Sequence, residues 1–259
     1  MDWIECNGAS LRYELSGHGD RTLVLVHELG GALESYDEVL PALSDRFRVL
    51  RYDQRGCGLS EKARGTLSAQ THAADLACLL DALALRQPVA LAGTALGAGL
   101  AIIFTLAHPA RVAQLIATSP ALGVTGDRRE QVLARADAVE ANGMRSVVDS
   151  SLDRSYPEVL RDNQARYIRY RQRWLANDPG SFAAINRMLA SMDPAPPYAD
   201  IGCPTLVLSG VHDALRPPAS VEEIARQIPN ASYKQTDAGH FMAVQNPDLF
   251  VREALTFLG

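Results

Sequence analysis

The segment VALAGTALGAG, residues 89–99, decides the fold of this chain, because it joins an aliphatic strand to a helix through a tight turn. Its first four residues are an apolar run, and the stretch Leu100–Ala107 continues as a helix. Gly93 and Gly97 stand two positions either side of Ala95. Glycine is expected at both places because a Cβ would collide where helix and strand press against the turn. The segment therefore predicts a sharp strand-to-helix turn with Ala95 at its apex.

Aliphatic runs on both sides of this segment predict a mostly parallel sheet. The chain opens with alternating residues around Asn7-Gly8, which is a strong signal for an antiparallel β-hairpin. Continuous apolar runs suit strands that are covered on both faces, and helical patterns such as Ser68–Leu85 lie between them. This alternation predicts a doubly wound α/β fold. The remaining predicted strands are Thr22–His27, Arg48–Tyr52, Val112–Ala117, Thr205–Ser209 and Ser232–Gln235.

The alternation of strand and helix stops between residues 123 and 195, where the pattern becomes helical and rich in Arg and Tyr. The sequence DPAPP at residues 193–197 ends it, because closely spaced prolines cannot continue a helix. We therefore predict an α/β core formed by residues 1–122 and 196–259, with residues 123–195 inserted as a helical cap.

Composition limits the classes of function open to the chain. A length of 259 residues suits one α/β domain with an insertion, and a net charge of −5 argues against nucleic-acid binding. No apolar run approaches the roughly 18 residues that a membrane span needs, and the first ten residues do not resemble a signal peptide. The four cysteines are scattered without metal-type spacing, which is typical of free thiols in a reducing compartment. We expect a cytoplasmic monomer or homodimer that acts on a small molecule without a metal or other cofactor.

Further motifs resemble those of the α/β-hydrolase fold superfamily and follow its order. The sequence HELGG at residues 27–31 is similar to the loop that forms the oxyanion hole, and YDQRGCGLS at residues 52–60 to the loop after the next strand. GTALG at residues 93–97 matches the frame of the nucleophile elbow. The resemblance covers nearly the whole chain and is strongest to small-molecule hydrolases such as 3-oxoadipate enol-lactonases. It places the acid at Asp213 and the histidine at His240.

The resemblance also implies a role for each of these residues. His240 acts as general base, since an imidazole can exchange protons around neutral pH. Asp213 orients the imidazole and stabilises its protonated form. The backbone N–H groups of Leu29 and Leu96 form the oxyanion hole beside His27.

The resemblance fails at the nucleophile, because a methyl group at Ala95 cannot attack a carbonyl. Two explanations remain open from the sequence. In the first, a natural serine was replaced by alanine in the laboratory and the parent protein is an ordinary hydrolase. In the second, the alanine is native and His240 with Asp213 activates water directly, so that hydrolysis proceeds without a covalent intermediate.

Glu28 is a second difference from the motifs of the superfamily, which usually has glycine at this point of the oxyanion loop. A carboxylate in the pocket could serve as a general acid or base. One alternative function is therefore a cofactor-independent lyase, decarboxylase or isomerase that uses His240 and Glu28. A second alternative is a non-catalytic protein that binds a small ligand, although the retention of His240 and Asp213 counts against it.

The expected substrate is a small carbonyl-containing metabolite, cleaved at an ester, a lactone or a C–C bond. Arginines of the predicted cap could bind a substrate carboxylate through bidentate contacts. Arginines at helical spacing are, however, more often part of a solvated face. The arginines in question are Arg161, Arg166, Arg169, Arg171 and Arg173.

Overall fold

The computed structural model describes all 259 residues and contains one eight-stranded sheet. Its strands lie in the order β1-β2-β4-β3-β5-β6-β7-β8. They are β1 Asp2–Cys6, β2 Ala9–Ser16, β3 Thr22–Val26, β4 Arg48–Tyr52, β5 Val89–Thr94, β6 Val112–Thr118, β7 Thr205–Gly210 and β8 Ala231–Thr236. The pairs β1–β2 and β2–β4 are antiparallel, and every other neighbouring pair is parallel. The predicted mostly parallel sheet with an opening antiparallel hairpin is confirmed.

The turn of the opening hairpin is formed by Asn7 and Gly8, the two residues from which it is predicted. Asn7 and Gly8 have φ angles of 50° and 73°, and they join strands whose register pairs Cys6 with Ala9. Positive φ at both central residues is the geometry of a two-residue turn that matches the twist of the strands.

Helices cover both faces of the sheet. They are α1 Leu40–Ser44, α2 Ala69–Ala82, α3 Leu96–Ala107, α4 Gly126–Asn142, α5 Val148–Ser155, α6 Gln164–Leu175, α7 Pro179–Ser191, α8 Pro218–Arg226, α9 Met242–Gln245 and α10 Pro247–Leu258. Alternate residues of β3 point to opposite faces: Val24 and Val26 belong to the apolar cluster on the face of α2, α3 and α8, whereas Leu23 and Leu25 belong to the cluster on the face of α1, α9 and α10. Apolar side chains on both faces explain why the strand sequences are continuous aliphatic runs.

Two predicted helix boundaries move in the structure. The helix expected over Ser68–Leu85 is α2, for which Ser68 is the N-cap and accepts a hydrogen bond from the Thr71 N–H at 3.0 Å. The helix expected from Leu100 begins earlier, at Leu96. Glycines are acceptable in this first turn because α3 crosses the sheet closely: a Cβ on Gly97 would lie 2.1 Å from the Val26 carbonyl oxygen.

Four helices, α4 to α7, occupy the segment between β6 and β7 where the sequence predicts the cap. The last of them ends at Ser191, just before the proline-rich stretch. Residues 123–195 as a separate unit stay a prediction. No helix in the chain combines the length and apolarity needed to cross a bilayer.

Candidate active site

Ala95 stands at the apex of the turn between β5 and α3 in a strained backbone conformation. Its φ is 52° and its ψ is −116°, a region that L-residues rarely adopt. Hydrogen bonds fix the apex on both sides: the Ala95 N–H donates to the Thr118 carbonyl at 2.9 Å, and the Ala95 carbonyl accepts from Gly99 and Ala121. The predicted sharp turn is therefore present, with a methyl group where the elbow would carry its nucleophile.

His240 and Asp213 are brought together from the loops that follow β8 and β7. His240 Nδ1 lies 2.8 Å from Asp213 Oδ2. The other carboxylate oxygen, Oδ1, accepts the backbone N–H groups of Leu215 and Arg216, both at 2.8 Å. This pairing leaves His240 Nε2 as the nitrogen available for proton transfer.

The environment of Asp213 favours its ionised form. Burial opposes ionisation, but the charge and hydrogen bond of His240 and the Arg216 N–H outweigh it and hold the pKa of Asp213 below its ordinary value. An ionised carboxylate behind the imidazole stabilises the imidazolium that forms when His240 takes up a proton.

Two residues that the sequence predicts to form the oxyanion hole, Leu29 and Leu96, have backbone N–H groups without a partner in the chain. The Leu29 N–H has no hydrogen-bond partner within the chain. Leu96 is the first residue of α3, so its N–H cannot be satisfied within the helix and lies at the positive end of the helix dipole. Both residues line the cavity described below, together with Ala95 and His240.

His27 is buried in the oxyanion loop, and both of its ring nitrogens are occupied. The Gln54 N–H donates to Nε2 at 3.1 Å, so the proton of a neutral ring is on Nδ1, which lies 2.8 Å from the Glu28 carbonyl oxygen. His27 does not line the main cavity. Its contacts hold the loop in place, and its predicted place beside an oxyanion hole stays a prediction.

Glu28 turns away from the cavity, into the contact between the oxyanion loop and α6. Its Oε1 accepts the hydroxyl groups of Ser35 at 2.7 Å and Tyr170 at 2.8 Å. Gly31 makes room for it, since a Cβ there would lie 2.3 Å from the same oxygen. The sequence predicts the Glu28 carboxylate in the pocket, and the structure places it outside the cavity. The reason is that it binds two hydroxyl groups, of which the Tyr170 hydroxyl comes from a helix distant in the sequence. Acid–base catalysis by Glu28 stays a prediction.

A cavity of about 440 Å³ lies between the sheet and the helices α4 to α7. Ala95, Leu96, Leu29 and His240 line it, while Asp213 lies behind His240. The volume is in the range of small-molecule ligand sites. No group of three or more His, Cys, Asp or Glu side chains is placed to hold a metal ion.

The arginines of this cavity are not those that the sequence singled out. Those of α6 and the turn before it are held in surface contacts: Arg161 pairs with Asp153, Arg166 and Arg169 with Glu38, and Arg171 with Asp149, while Arg173 donates to the Glu34 carbonyl. The cavity is instead lined by Arg128, Arg135, Arg154 and Arg216. Only their spacing in the sequence could have indicated these arginines. Arg128 and Arg135 are seven residues apart and therefore lie on one face of α4, and Arg216 lies three residues after Asp213.

The fold and the site together define the class of protein. A parallel sheet with a strained apex after β5, followed in chain order by an acid and a histidine, is the arrangement of the α/β-hydrolases. A family model described as Hydrolase_4 (serine aminopeptidase, S33) matches residues 17–241. The chain belongs to this family of α/β-hydrolases.

Proteins named as a carbamate hydrolase and as enol-lactonases are among its relatives. A protein of Azorhizobium caulinodans assigned as the carbamate hydrolase RutD is 29% identical over 263 residues, spanning 100% of this chain and 98% of the relative. 3-Oxoadipate enol-lactonase 1 of Acinetobacter baylyi is 27% identical over 248 residues, spanning 95% and 91%. The crystal structure of the enol-lactonase from Burkholderia xenovorans has a TM-score of 0.94 at 27% identity and covers 99% of each chain. The predicted likeness to enol-lactonase-type hydrolases is confirmed.

Proposed function

We propose that this protein hydrolyses a small carbonyl compound, an ester, a lactone or an activated C–C bond, with His240 activating the attacking water. The observation that carries the proposal is the His240–Asp213 pair, at 2.8 Å, beside a cavity that Ala95 and two N–H donors also line. A neutral imidazole held by a carboxylate is a suitable general base near neutral pH.

The proposed reaction needs only groups that face or support this cavity. His240 Nε2 takes a proton from water as the water oxygen attacks the carbonyl carbon. The negative charge that develops on the carbonyl oxygen meets the N–H groups of Leu29 and Leu96, where each donor is typically worth roughly 3–4 kcal/mol. When the tetrahedral intermediate collapses, His240 returns the proton to the leaving group. If position 95 carried a serine, its hydroxyl would take the place of water in the first attack.

A pair of histidine variants tests the proposal. His240→Ala should abolish turnover of a panel of small esters and lactones while binding, measured by calorimetry, persists. His212→Ala is the matched control, because His212 pairs with Asp237 at the surface and does not line the cavity. Absence of turnover in the unsubstituted protein, with ligand binding retained, would assign the chain to the non-catalytic binding proteins instead.

The variant Ala95→Ser separates the two explanations for the missing nucleophile. We expect a fluorophosphonate probe to label the new serine, because the strained apex, the base and the N–H donors are already in place. The double variant Ala95→Ser, His240→Ala should not be labelled, which controls for non-specific reaction. A large gain in ester turnover by the single variant supports a hydrolase that has lost its serine; labelling without such a gain supports direct activation of water.

A further inference from the structure

Gln245 is a buried side chain that takes no direct part in the proposed hydrolysis. It is the last residue of the short helix α9, which follows His240 in the chain, and only 2% of it is exposed. A buried amide is unfavourable unless its oxygen and its NH₂ group both find hydrogen-bond partners. The Gln245 amide has a partner at each end, and the two partners come from different parts of the molecule.

The oxygen of the Gln245 amide holds the loop that carries His240. Gln245 Oε1 accepts the backbone N–H of Phe241 at 3.0 Å. Phe241 is the N-cap of α9, so its N–H has no acceptor within that helix. Gly239 allows the close approach, because a Cβ there would lie 2.6 Å from the same oxygen. His240 therefore lies between two residues that pack against one amide oxygen.

The NH₂ group of the Gln245 amide binds the end of α5. Gln245 Nε2 donates to the Ser155 carbonyl oxygen at 2.8 Å, a buried contact between residues 90 positions apart. Ser155 is the last residue of α5, so its carbonyl has no donor within the helix. The backbone carbonyl of Gln245 also accepts a hydrogen bond from Arg166 of α6 at 3.2 Å. Gln245 thus joins the His240 loop to two of the helices that cover the cavity.

The two partners require a side chain that accepts at one end and donates at the other. The Phe241 N–H can only donate and the Ser155 carbonyl can only accept, so these neighbours fix the orientation of the amide. A carboxylate would accept from Phe241 but would place a second oxygen against the Ser155 carbonyl. An aliphatic side chain would leave both backbone groups unpaired. The contacts therefore specify a glutamine amide by its chemistry and not only by its volume.

The His240 ring has few other contacts that set its position. Its single hydrogen-bond partner is Asp213, at 2.8 Å, and its ring centroid lies 4.9 Å from that of Phe241. Asp213 holds the ring at Nδ1, whereas the backbone that carries the ring is held through the Phe241 N–H. The position of this backbone matters because a misplacement of about 1 Å at a reacting centre can cost about 100-fold in rate.

We infer that Gln245 is a positioning residue for His240, whose amide fixes the His240 loop against the end of α5. Gln245 does not line the cavity, although Phe241 and Ser155 on either side of its amide do. That this positioning serves hydrolysis rests on the proposed function; that the amide holds the loop rests on its two hydrogen bonds alone.

Amide hydrogen exchange followed by NMR tests the contact without a substrate. Gln245→Met has a similar volume and forms neither hydrogen bond, so the Phe241 amide should exchange at least about tenfold faster. Gln114→Met is the matched control, because Gln114 is half-buried, donates to the Phe257 carbonyl at 3.2 Å and lies outside the cavity. It should leave Phe241 exchange unchanged. Equal exchange of the Phe241 amide in Gln245→Met and the unsubstituted protein would overturn the inference.

Gln245→Glu separates the two halves of the contact. It keeps an acceptor for the Phe241 N–H and loses the donor to the Ser155 carbonyl. The Phe241 amide should therefore stay protected, while the Ser155 amide in the last turn of α5 should exchange faster. Unchanged exchange of the Ser155 amide in both Gln245 variants would overturn the link to α5. Thermal melting of each variant establishes that it is folded.

Steady-state kinetics test whether the contact positions His240 for the reaction. On an ester or lactone that the protein hydrolyses, Gln245→Met should lower kcat about tenfold and change KM less than about twofold. A purely structural role would lower the melting temperature and leave kcat unchanged, as expected for Gln114→Met, and this result in Gln245→Met would overturn the positioning role. Absence of turnover in the unsubstituted protein would remove the proposed function, while the Phe241 and Ser155 amides would still decide whether Gln245 holds the loop.

Discussion

At the scale of single residues, the site depends on conformations and charges that are unfavourable in isolation. Ala95 is held at a φ of 52° by the hydrogen bonds of its own backbone N–H and carbonyl groups. Its methyl side chain cannot act as a nucleophile or transfer a proton. Asp213 is buried and yet ionised because His240 and two backbone N–H groups stabilise its charge. Both features make predictions that do not require the substrate to be known.

Ala95→Gly should stabilise the protein. Glycine adopts positive φ without a Cβ penalty, and we expect the free energy of unfolding in urea to rise by about 1 kcal/mol. Ala74→Gly is the matched control, because Ala74 is exposed within α2 and glycine there should cost about 1 kcal/mol. A loss of stability in Ala95→Gly would mean that the apex is not strained.

Asp213 should contribute stability in a pH-dependent way. Because the pKa of Asp213 is lower in the folded protein, its contribution is present above the unfolded value, about 3.9, and is lost as the pH falls through the folded value. The difference in free energy of unfolding between the unsubstituted protein and Asp213→Asn should therefore shrink below about pH 4. Urea unfolding measured between pH 5 and pH 3 checks this. Asp20→Asn, at an exposed side chain, should show no such change.

At the scale of elements, helix α6 is attached directly to the oxyanion loop. The Trp174 ring fills the space above Gly30, where a Cβ would lie 2.5 Å from it, and Asn177, just after α6, donates to the Gly30 carbonyl at 3.0 Å. Tyr170 donates to Glu28 at 2.8 Å, and burial followed by the charge of Glu28 raises the pKa of Tyr170 well above its usual value, so its hydroxyl remains a donor. A movement of α6 would therefore displace the Leu29 N–H.

Tyr170→Phe should weaken this attachment. It leaves the buried Glu28 carboxylate with one hydroxyl donor fewer, which should lower the free energy of unfolding by roughly 1–3 kcal/mol. Tyr167→Phe, one turn earlier in the same helix, changes a half-buried hydroxyl that makes no hydrogen bond within the chain, and should alter stability by less than about 0.5 kcal/mol. Equal effects of the two variants in urea unfolding would show that the contact with Glu28 contributes nothing.

At the scale of the whole molecule, the central strands and the helices above them are stabilised to different extents. Strand β5 is hydrogen-bonded to β3 on one side and β6 on the other and is buried throughout. Helices α4 and α5 combine exposed charged faces with a few buried residues and cover a water-accessible cavity. Segments with a buried backbone and many apolar contacts need more free energy to open locally than segments with few.

Hydrogen exchange measured by mass spectrometry should therefore separate two regions. We expect the amides of β3, β5 and β6 to exchange last and those of α4 and α5 to exchange earlier, because these helices can open without disrupting the sheet. Equal protection of α4, α5 and β5 without ligand would show that residues 123–195 and the sheet unfold as one unit.

The resemblance to the α/β-hydrolases indicated the loops that carry Asp213 and His240, whereas the residues by themselves determined the sheet, the opening hairpin and the apex at Ala95. These depend on local patterns: apolar runs, Asn7-Gly8, and glycines where backbones come close. The tertiary structure alone decided which charges remain uncompensated and where Glu28 points. Arg166 and Arg171 find carboxylates at the surface, while Arg135 meets Asn186 from another helix and retains its charge in the cavity. The partners of a charged side chain come from segments distant in the chain, so no local pattern specifies them.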